Sequence, residues 1–256
     1  MRKFISSLQG LVIAMQFLSR IPMGETIIAS DQQWSRSVYF YPLVGAVLGA
    51  LLVLLASVLS NVPSFLAAVL ILTAWVAFTG ALHIDGLADC SDAWVGGQGS
   101  REKTLAIMKD PAAGPIAVVV IVLLLLFKLA AIVVLLDSAN LFTLLIIPLL
   151  ARTTLLAAFI YAPYANPAGI GAKVSLYLSP KLAQALLLIA AAIIFIVLPI
   201  LNSLILLLVI IVVFLLWRTA CINRLDGITG DCMGALVELQ EVCMLIALAL
   251  MLTGGL

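Results

Sequence analysis

The sequence predicts an all-α, polytopic integral membrane bundle of about six to seven transmembrane helices with an amphipathic helix at its N-terminus. Three observations carry that expectation. The 256 residues are 65% hydrophobic and only 10% charged, with a mean hydropathy of +1.29, well outside the soluble range. Apolar residues gather in about seven runs near the length of about 20 that crosses a hydrocarbon core. Basic residues, finally, fall between alternate runs and leave the other turns bare.

In chain order, Phe4, Leu8, Leu11, Met15 and Leu18 recur at helical spacing, while Ser6, Ser7, Gln9 and Gln16 interrupt any signal-like apolar run. This segment is expected to stay in the mature protein, lying at the membrane interface or packed on the bundle. The spans are expected at 38–60, 62–82, 113–136, 141–162, 182–201, 203–217 and 235–253. Pro63, Pro111, Pro180 and Pro199 sit near their ends, where a missing backbone donor costs little. Four polar stretches separate them on one side, at 19–37, 83–112, 163–181 and 218–234.

With the N-terminus in the cytoplasm, Arg2, Lys3, Arg20, Arg36, Arg101, Lys103, Lys109, Lys173, Lys181, Arg218 and Arg224 all fall on the cytoplasmic side. The opposite turns, near Asn61, Asp137 to Asn140 and Asn202, hold no Lys or Arg, as the positive-inside rule requires. Only Lys128 and Arg152 lie inside spans. A net charge of +1 gives no reason to expect nucleic acid as a partner; the lipid bilayer is the evident one. Cys90, Cys221, Cys232 and Cys243 form no C-x-x-C pair and read as small buried thiols rather than disulfides. No linker or repeat divides the chain, so residues 1–256 read as one membrane domain.

The segment from His83 to Ala93 holds the chemistry. On a helix, Asp85, Asp89 and Asp92 fall at i, i+4 and i+7, within roughly a 60° arc. Three unpaired aspartates deep in lipid would cost about 8–10 kcal/mol at about 2.5–3.5 kcal/mol each, so they belong at an interface or must be neutralised. Oxygen donors without a convincing His or Cys set suit a hard cation such as Mg²⁺, Mn²⁺ or Ca²⁺. Mg²⁺ with open positions points to phosphoryl chemistry. The helix then turns at Gly96-Gly97-Gln98-Gly99, and a short helix capped by Ser100 runs on to Pro111. Asp231 supplies a second acidic position, with Glu238 and Glu241 further along the same helix. His83 reads as a helix-end residue or a substrate contact, and Arg152 as a mid-span guanidinium suited to phosphate. Arg20 reads either as ordinary positive-inside charge or as a ligand contact, and Lys128 as an acid's partner or a snorkelling side chain.

Across nearly its whole length the chain resembles the cobalamin synthase family, the adenosylcobinamide-GDP ribazoletransferases. The strongest correspondences are Gly80 to Asp92 with its L-H-x-D-G-L-A-D core, Ile107-Met108-Lys109-Asp110 with Gly114, and Thr229-Gly230-Asp231 through Gly234-Ala235 to Glu238-Leu239. Weaker ones are Phe17 to Pro22, Tyr41-Pro42-Leu43 with Gly45 and Gly49, Arg152, and Gly169-Ile170-Gly171. Asp226 stands where the family usually has the first of two glycines, and Ala165 to Pro167 replaces a usually more charged stretch. The resemblance implies a Mg²⁺-dependent membrane transferase that joins adenosylcobinamide-GDP to α-ribazole, or its 5′-phosphate, and releases GMP. It implies Asp85, Asp89 and Asp231 as metal ligands and Asp92 as a further ligand or the base. His83, Lys109, Asp110, Arg20, Arg152, Thr229 and Glu238 are the expected substrate contacts. The active-site segments would be 83–112 and 218–241, facing the cytoplasm of a bacterial inner membrane, with room for a homo-oligomer or association with other late cobalamin-pathway enzymes. The rival class is a cation- or proton-coupled transporter, whose acids should lie near the bilayer midplane.

Overall fold

The structure, a computed structural model, describes residues 2–25, 27–166 and 169–254, with side chains of residues 2–8 and 170 outside that description. Twelve helices are described: α1 Arg2–Leu18, α2 Asp31–Val38, α3 Tyr41–Val58, α4 Ser64–Thr79, α5 Leu82–Gly96, α6 Arg101–Ile107, α7 Pro115–Asp137, α8 Thr143–Tyr161, α9 Ile170–Tyr177, α10 Pro180–Val197, α11 Ile200–Leu225 and α12 Gly230–Leu252. Among the described residues the one β feature is an isolated parallel bridge between Tyr164 and Ile228. The all-α membrane bundle expected from composition is therefore the observed architecture.

Six helices are long and apolar enough to cross a membrane: α3, α7, α8, α10, α11 and α12. α4 and α5 pass the same test only as a pair and bend by 86° between them, so α5 turns aside from the line of α4 instead of prolonging it. α4 runs antiparallel to α7, because the Ser64 hydroxyl at its start donates to the Asp137 carboxylate at the end of α7. The bend leaves α5 at the opposite end of the bundle, near the start of α7. The backbone turns there through two successive left-handed residues, Gly80 (φ 63°) and Ala81 (φ 57°). Arg20 pins this elbow: its N–H donates to the Phe78 carbonyl at 2.7 Å, and its side chain lies where a Cβ on residue 80 would meet it at 2.2 Å. Only glycine meets both the positive φ and the close approach.

Several boundaries differ from the sequence expectation for local reasons. The run at 38–60 is divided, since Pro42 sits in the first turn of a new helix beginning at Tyr41. α11 extends past its apolar stretch to Leu225, so Arg218 and Arg224 ride on the same helix. α12 starts five residues earlier than expected, because Thr229 caps it by accepting from the Cys232 N–H at 3.2 Å. That places Asp231 in the first turn of α12. The amphipathic reading of the first segment matches α1, whose Met15 and Leu18 are buried in the main core; Phe4 and Leu8 have side chains outside the described set. Cys90, Cys221 and Cys232 are buried free thiols and Cys243 a half-buried one, as expected.

α8 and α12 form the centre, with about 70% of their spans buried, whereas α10 and α11 expose most of theirs to the surroundings. α3 reaches α8 through Gly45 and Gly49, where an added Cβ would lie 2.2 Å from the Pro148 carbonyl oxygen and 2.4 Å from that of Leu145. Small residues at this i, i+4 spacing let two membrane helices touch backbone to backbone.

The two basic residues inside spans are both neutralised. Lys128 Nζ donates to Glu238 Oε2 at 2.6 Å and Glu241 Oε2 at 2.5 Å, and lies 5.1 Å from the Trp75 ring centroid. Arg152 is fully buried and donates to Glu241 Oε1. Two cations thus meet two carboxylates across α7, α8 and α12, with Trp75 of α4 stacked on the end.

Candidate active site

α5 is amphipathic around its axis in the way its spacing predicts. His83, Ile84, Gly86, Leu87, Ala88, Cys90 and Ala93 are buried, while Asp85 is exposed and Asp89 and Asp92 are half-buried. Gly86 brings this helix onto α12: a Cβ there would lie 2.7 Å from the carbonyl oxygen of Asp231. Gly234, one turn further along α12, receives the backbone of His83 in the same way at 3.3 Å. The two glycines therefore close the seam that sets Asp85 and Asp89 beside Asp231.

These carboxylates feel one another. The Asp89 carboxyl, on a helix outside the six spans, is pushed up to about 6, first by burial and then by the charges of Asp85, Asp231 and Asp92. Among the described residues no Lys or Arg forms an ion pair with any of the four. Asp92 has a distinct position. One of its oxygens accepts from the Gly114 N–H at 2.5 Å and the other from the Ala117 N–H at 3.0 Å, so it caps α7. A Cβ on residue 114 would meet that carboxylate at 2.6 Å, which explains the glycine.

As placed, no three His, Cys, Asp or Glu side chains among the described residues close around one ion. Mg²⁺ does not demand such closure, since it takes one or two carboxylates and leaves other positions to water and substrate phosphate. An oxygen-only donor set of mutually repelling acids without a protein cation fits that ion.

Two cavities meet at Asp231. One, of about 380 Å³, is walled by Phe17, Trp34, Tyr41, Phe159 and Tyr164, with His83 and Asp231 also on its wall. The other, of about 460 Å³, is lined by Arg101, Lys109, Asn166 and Thr229. Tyr164, Gly230 and Asp231 belong to both walls. Tyr164 is held by its bridge to Ile228, with the Ala165 N–H donating to the Ile228 carbonyl and the Ile228 N–H to the Pro163 carbonyl, each at 2.9 Å. Its ring lies against Gly171, where a Cβ would come within 2.1 Å. Burial, with the Asp231 charge behind it, raises its phenol and keeps it a donor. Arg101 ties this loop to the end of α11, donating to the Leu225 carbonyl at 2.9 Å and the Ala165 carbonyl at 3.1 Å while pairing with Asp226.

The expected site residues separate into distinct places in the fold. Asp85, Asp89 and Asp231 share the seam, with Thr229 as the cap of α12 and Lys109 facing the second cavity. His83 is buried in the wall of the aromatic cavity, its Nδ1 3.5 Å from Arg152 Nη2. Arg152 and Glu238 lie inside the closed ion network, neither of them lining either cavity at Asp231. Arg20 holds the elbow from the surface. Asp110 is exposed and accepts from the Ala112 N–H at 3.0 Å, shaping the turn before α7. Pro167, part of the expected substrate loop, lies outside the described residues. Sequence reasoning missed Tyr164 and the aromatic wall. The signal for Tyr164 was an aromatic residue in a polar stretch shortly before Gly169 and Gly171.

A model of the family described as cobalamin-5-phosphate synthase matches residues 10–249. A relative from Pseudomonas paraeruginosa, named adenosylcobinamide-GDP ribazoletransferase, is 45% identical over 244 residues, covering 95% of this chain and 99% of the relative. Relatives with the same name from Stutzerimonas stutzeri and Pseudomonas putida are 46% and 44% identical, covering 94% and 93% of this chain and 97% and 98% of theirs. No solved structure matches the chain.

Proposed function

The chain belongs to the cobalamin-5-phosphate synthase family, and we propose on that premise that it joins adenosylcobinamide-GDP to α-ribazole, or to its 5′-phosphate, with release of GMP at the α5–α12 seam. The observation that carries the assignment to this seam is the meeting of Asp85, Asp89 and Asp231 with no Lys or Arg paired to them among the described residues. A divalent cation, Mg²⁺ in the cell, would be held by carboxylates drawn from these three, and it would supply positive charge to offset the negative charge that develops as the phosphate bond breaks.

The chain's own residues supply the rest. An oxygen–phosphorus bond forms between the ribazole hydroxyl and the phosphate that carries the cobinamide arm. The bond from that phosphorus to the GMP oxygen breaks, and GMP leaves with the electron pair. The hydroxyl proton passes to a carboxylate oxygen of the aspartate cluster. Lys109 and Arg101 face the second cavity, where phosphate charge would collect. Asp92 keeps the start of α7 in register with α5, and Thr229 fixes the first turn of α12 that presents Asp231. Arg152 and Glu238, instead of touching substrate, hold α7, α8 and α12 together behind the seam.

The basic residues at the α5 end support an orientation with the seam facing the cytoplasm of a bacterial inner membrane. A transporter is disfavoured because the mid-span acids, Glu238 and Glu241, are closed off by Lys128 and Arg152. The deciding experiment incubates purified protein with adenosylcobinamide-GDP, α-ribazole and Mg²⁺ and follows cobamide and GMP. Equal amounts of both products are expected. No product in any of several detergents and lipids would overturn the assignment.

A further inference from the structure

We propose that the aromatic cavity is the seat of the planar base of α-ribazole, that the basic cavity receives the pyrophosphate of the nucleotide-activated corrinoid, and that Tyr164 is the partition between them. The inference rests on the transferase reading and adds to it which substrate enters from which side.

Size is the first argument. A volume of about 380 Å³ lies at the lower end of the roughly 300–1,000 Å³ typical of small-molecule sites. It suits a benzimidazole nucleoside and is too small for a corrin ring with its side amides. The corrinoid must therefore approach from elsewhere, with only its activated arm reaching Asp231.

Chemistry is the second. Phe17 stands edge-on to Trp34 at 5.2 Å between ring centroids and stacks on Tyr41 at 6.2 Å, and Tyr41 meets Phe159 at 6.5 Å. Four rings thus follow one another in a series of contacts along one chamber, and such walls hold flat aromatic ligands by stacking. Among the described residues no Lys or Arg lines the chamber, so a pyrophosphate there would face Asp231 unscreened. Arg101 and Lys109 line the other cavity.

Guanine is the competing planar ligand, since the other substrate carries it. Its ring edge presents several donors and acceptors, and each one buried without a partner is costly. The chamber is mostly apolar, and its polar side chains, Trp34, Tyr41, His83, Tyr164 and Asp231, are spread around the wall among apolar ones. The dimethylbenzimidazole ring presents a single unsubstituted ring nitrogen and is otherwise apolar. Of the two bases, the chamber matches benzimidazole. Seated there, the ribose would extend toward Gly230 and Asp231, the wall the two cavities share, where its hydroxyl meets the activated phosphate.

The test is a split in Michaelis constants. Phe159→Leu keeps apolar bulk and removes a ring; it should raise KM for α-ribazole at least tenfold and leave KM for adenosylcobinamide-GDP within twofold. Lys109→Ala should do the reverse. Calorimetric titration of α-ribazole into Asp89→Ala protein gives a readout without turnover. Binding should persist there, weaken at least tenfold when Phe159→Leu is added, and be unaffected by GMP. A shift confined to adenosylcobinamide-GDP, equal shifts for both substrates, no shift for either, or displacement of α-ribazole by GMP would each overturn the assignment. If wild-type protein formed no cobamide, the transferase reading would fall, and the titration would still decide whether the chamber takes the base.

Discussion

Two acidic clusters in this molecule have opposite surroundings. Glu238 and Glu241 sit midway along α12, fully enclosed, and are matched by Lys128 and Arg152. Asp85, Asp89 and Asp231 sit at the end of the bundle, and among the described residues no Lys or Arg is paired to them. Charge balance separates scaffold from site: the first cluster is complete without a ligand, whereas the second gains stability only when a cation or a proton arrives. Asp231 shares α12 with Glu238 and Glu241, so the scaffold that holds α7, α8 and α12 also fixes where Asp231 stands.

Breaking the balanced cluster should have the largest effect. Arg152→Ala leaves Glu241 with one partner fewer in a closed interior, and removal of one member of a buried pair costs about 3–5 kcal/mol. Thermal unfolding in detergent should show the loss. Arg152→Met combined with Glu241→Gln leaves Lys128 paired with Glu238 and should recover most of it. Next in size, Asp89→Ala should lower turnover about 100–1000-fold, the scale of losing one electrostatic contributor to a transition state, while unfolding stays cooperative. Smaller again is Asp92→Ala, which removes the cap of α7. A loss of about 1 kcal/mol in stability is expected, accompanied by a fall in turnover as the seam loosens.

The smallest effect is the sharpest in sign. Because the Asp89 carboxyl titrates near 6 in the fold against an ordinary value of 3.8, the folded chain binds the proton more strongly than the unfolded one. Its contribution to stability therefore falls as pH rises from about 3.8 to about 6 and stays low above that. Asp89→Asn should accordingly stabilise protein kept in chelator at neutral pH. Solvent screening at this half-buried position limits the gain to about 1 kcal/mol, roughly 2–4 °C in a chain of this size. Glu241→Gln should lower the midpoint under the same conditions. If both substitutions moved stability the same way, the contrast between the clusters would be wrong.

Much of this architecture was legible in the chain. The apolar runs give the spans because lipid allows little but helices, and the i, i+4, i+7 spacing alone places three aspartates on one face of α5. Asp231 was legible as a second acidic position, but not that Gly86 would bring it against α5, since which glycine faces which backbone is a tertiary matter. Arg152 illustrates the opposite limit. An intramembrane guanidinium reads by default as functional, and the sequence contains no local sign that Glu241, 89 residues away, neutralises it. Lys128 was read as an acid's partner or a snorkelling side chain, and it is the former. The aromatic chamber was hidden for a similar reason: its rings come from α1, α2, α3, α8 and the loop before α9, too far apart in sequence for any spacing rule to connect them.

The central claim is that the unbalanced seam is a divalent-cation site. Mn²⁺ in place of Mg²⁺ reports it directly by electron paramagnetic resonance, free of any assay of turnover. Titration of wild-type protein should show saturable binding that Mg²⁺ displaces, lost in Asp89→Ala and retained in Phe159→Leu. Equal binding by wild-type and Asp89→Ala protein, or none by either, would contradict the account.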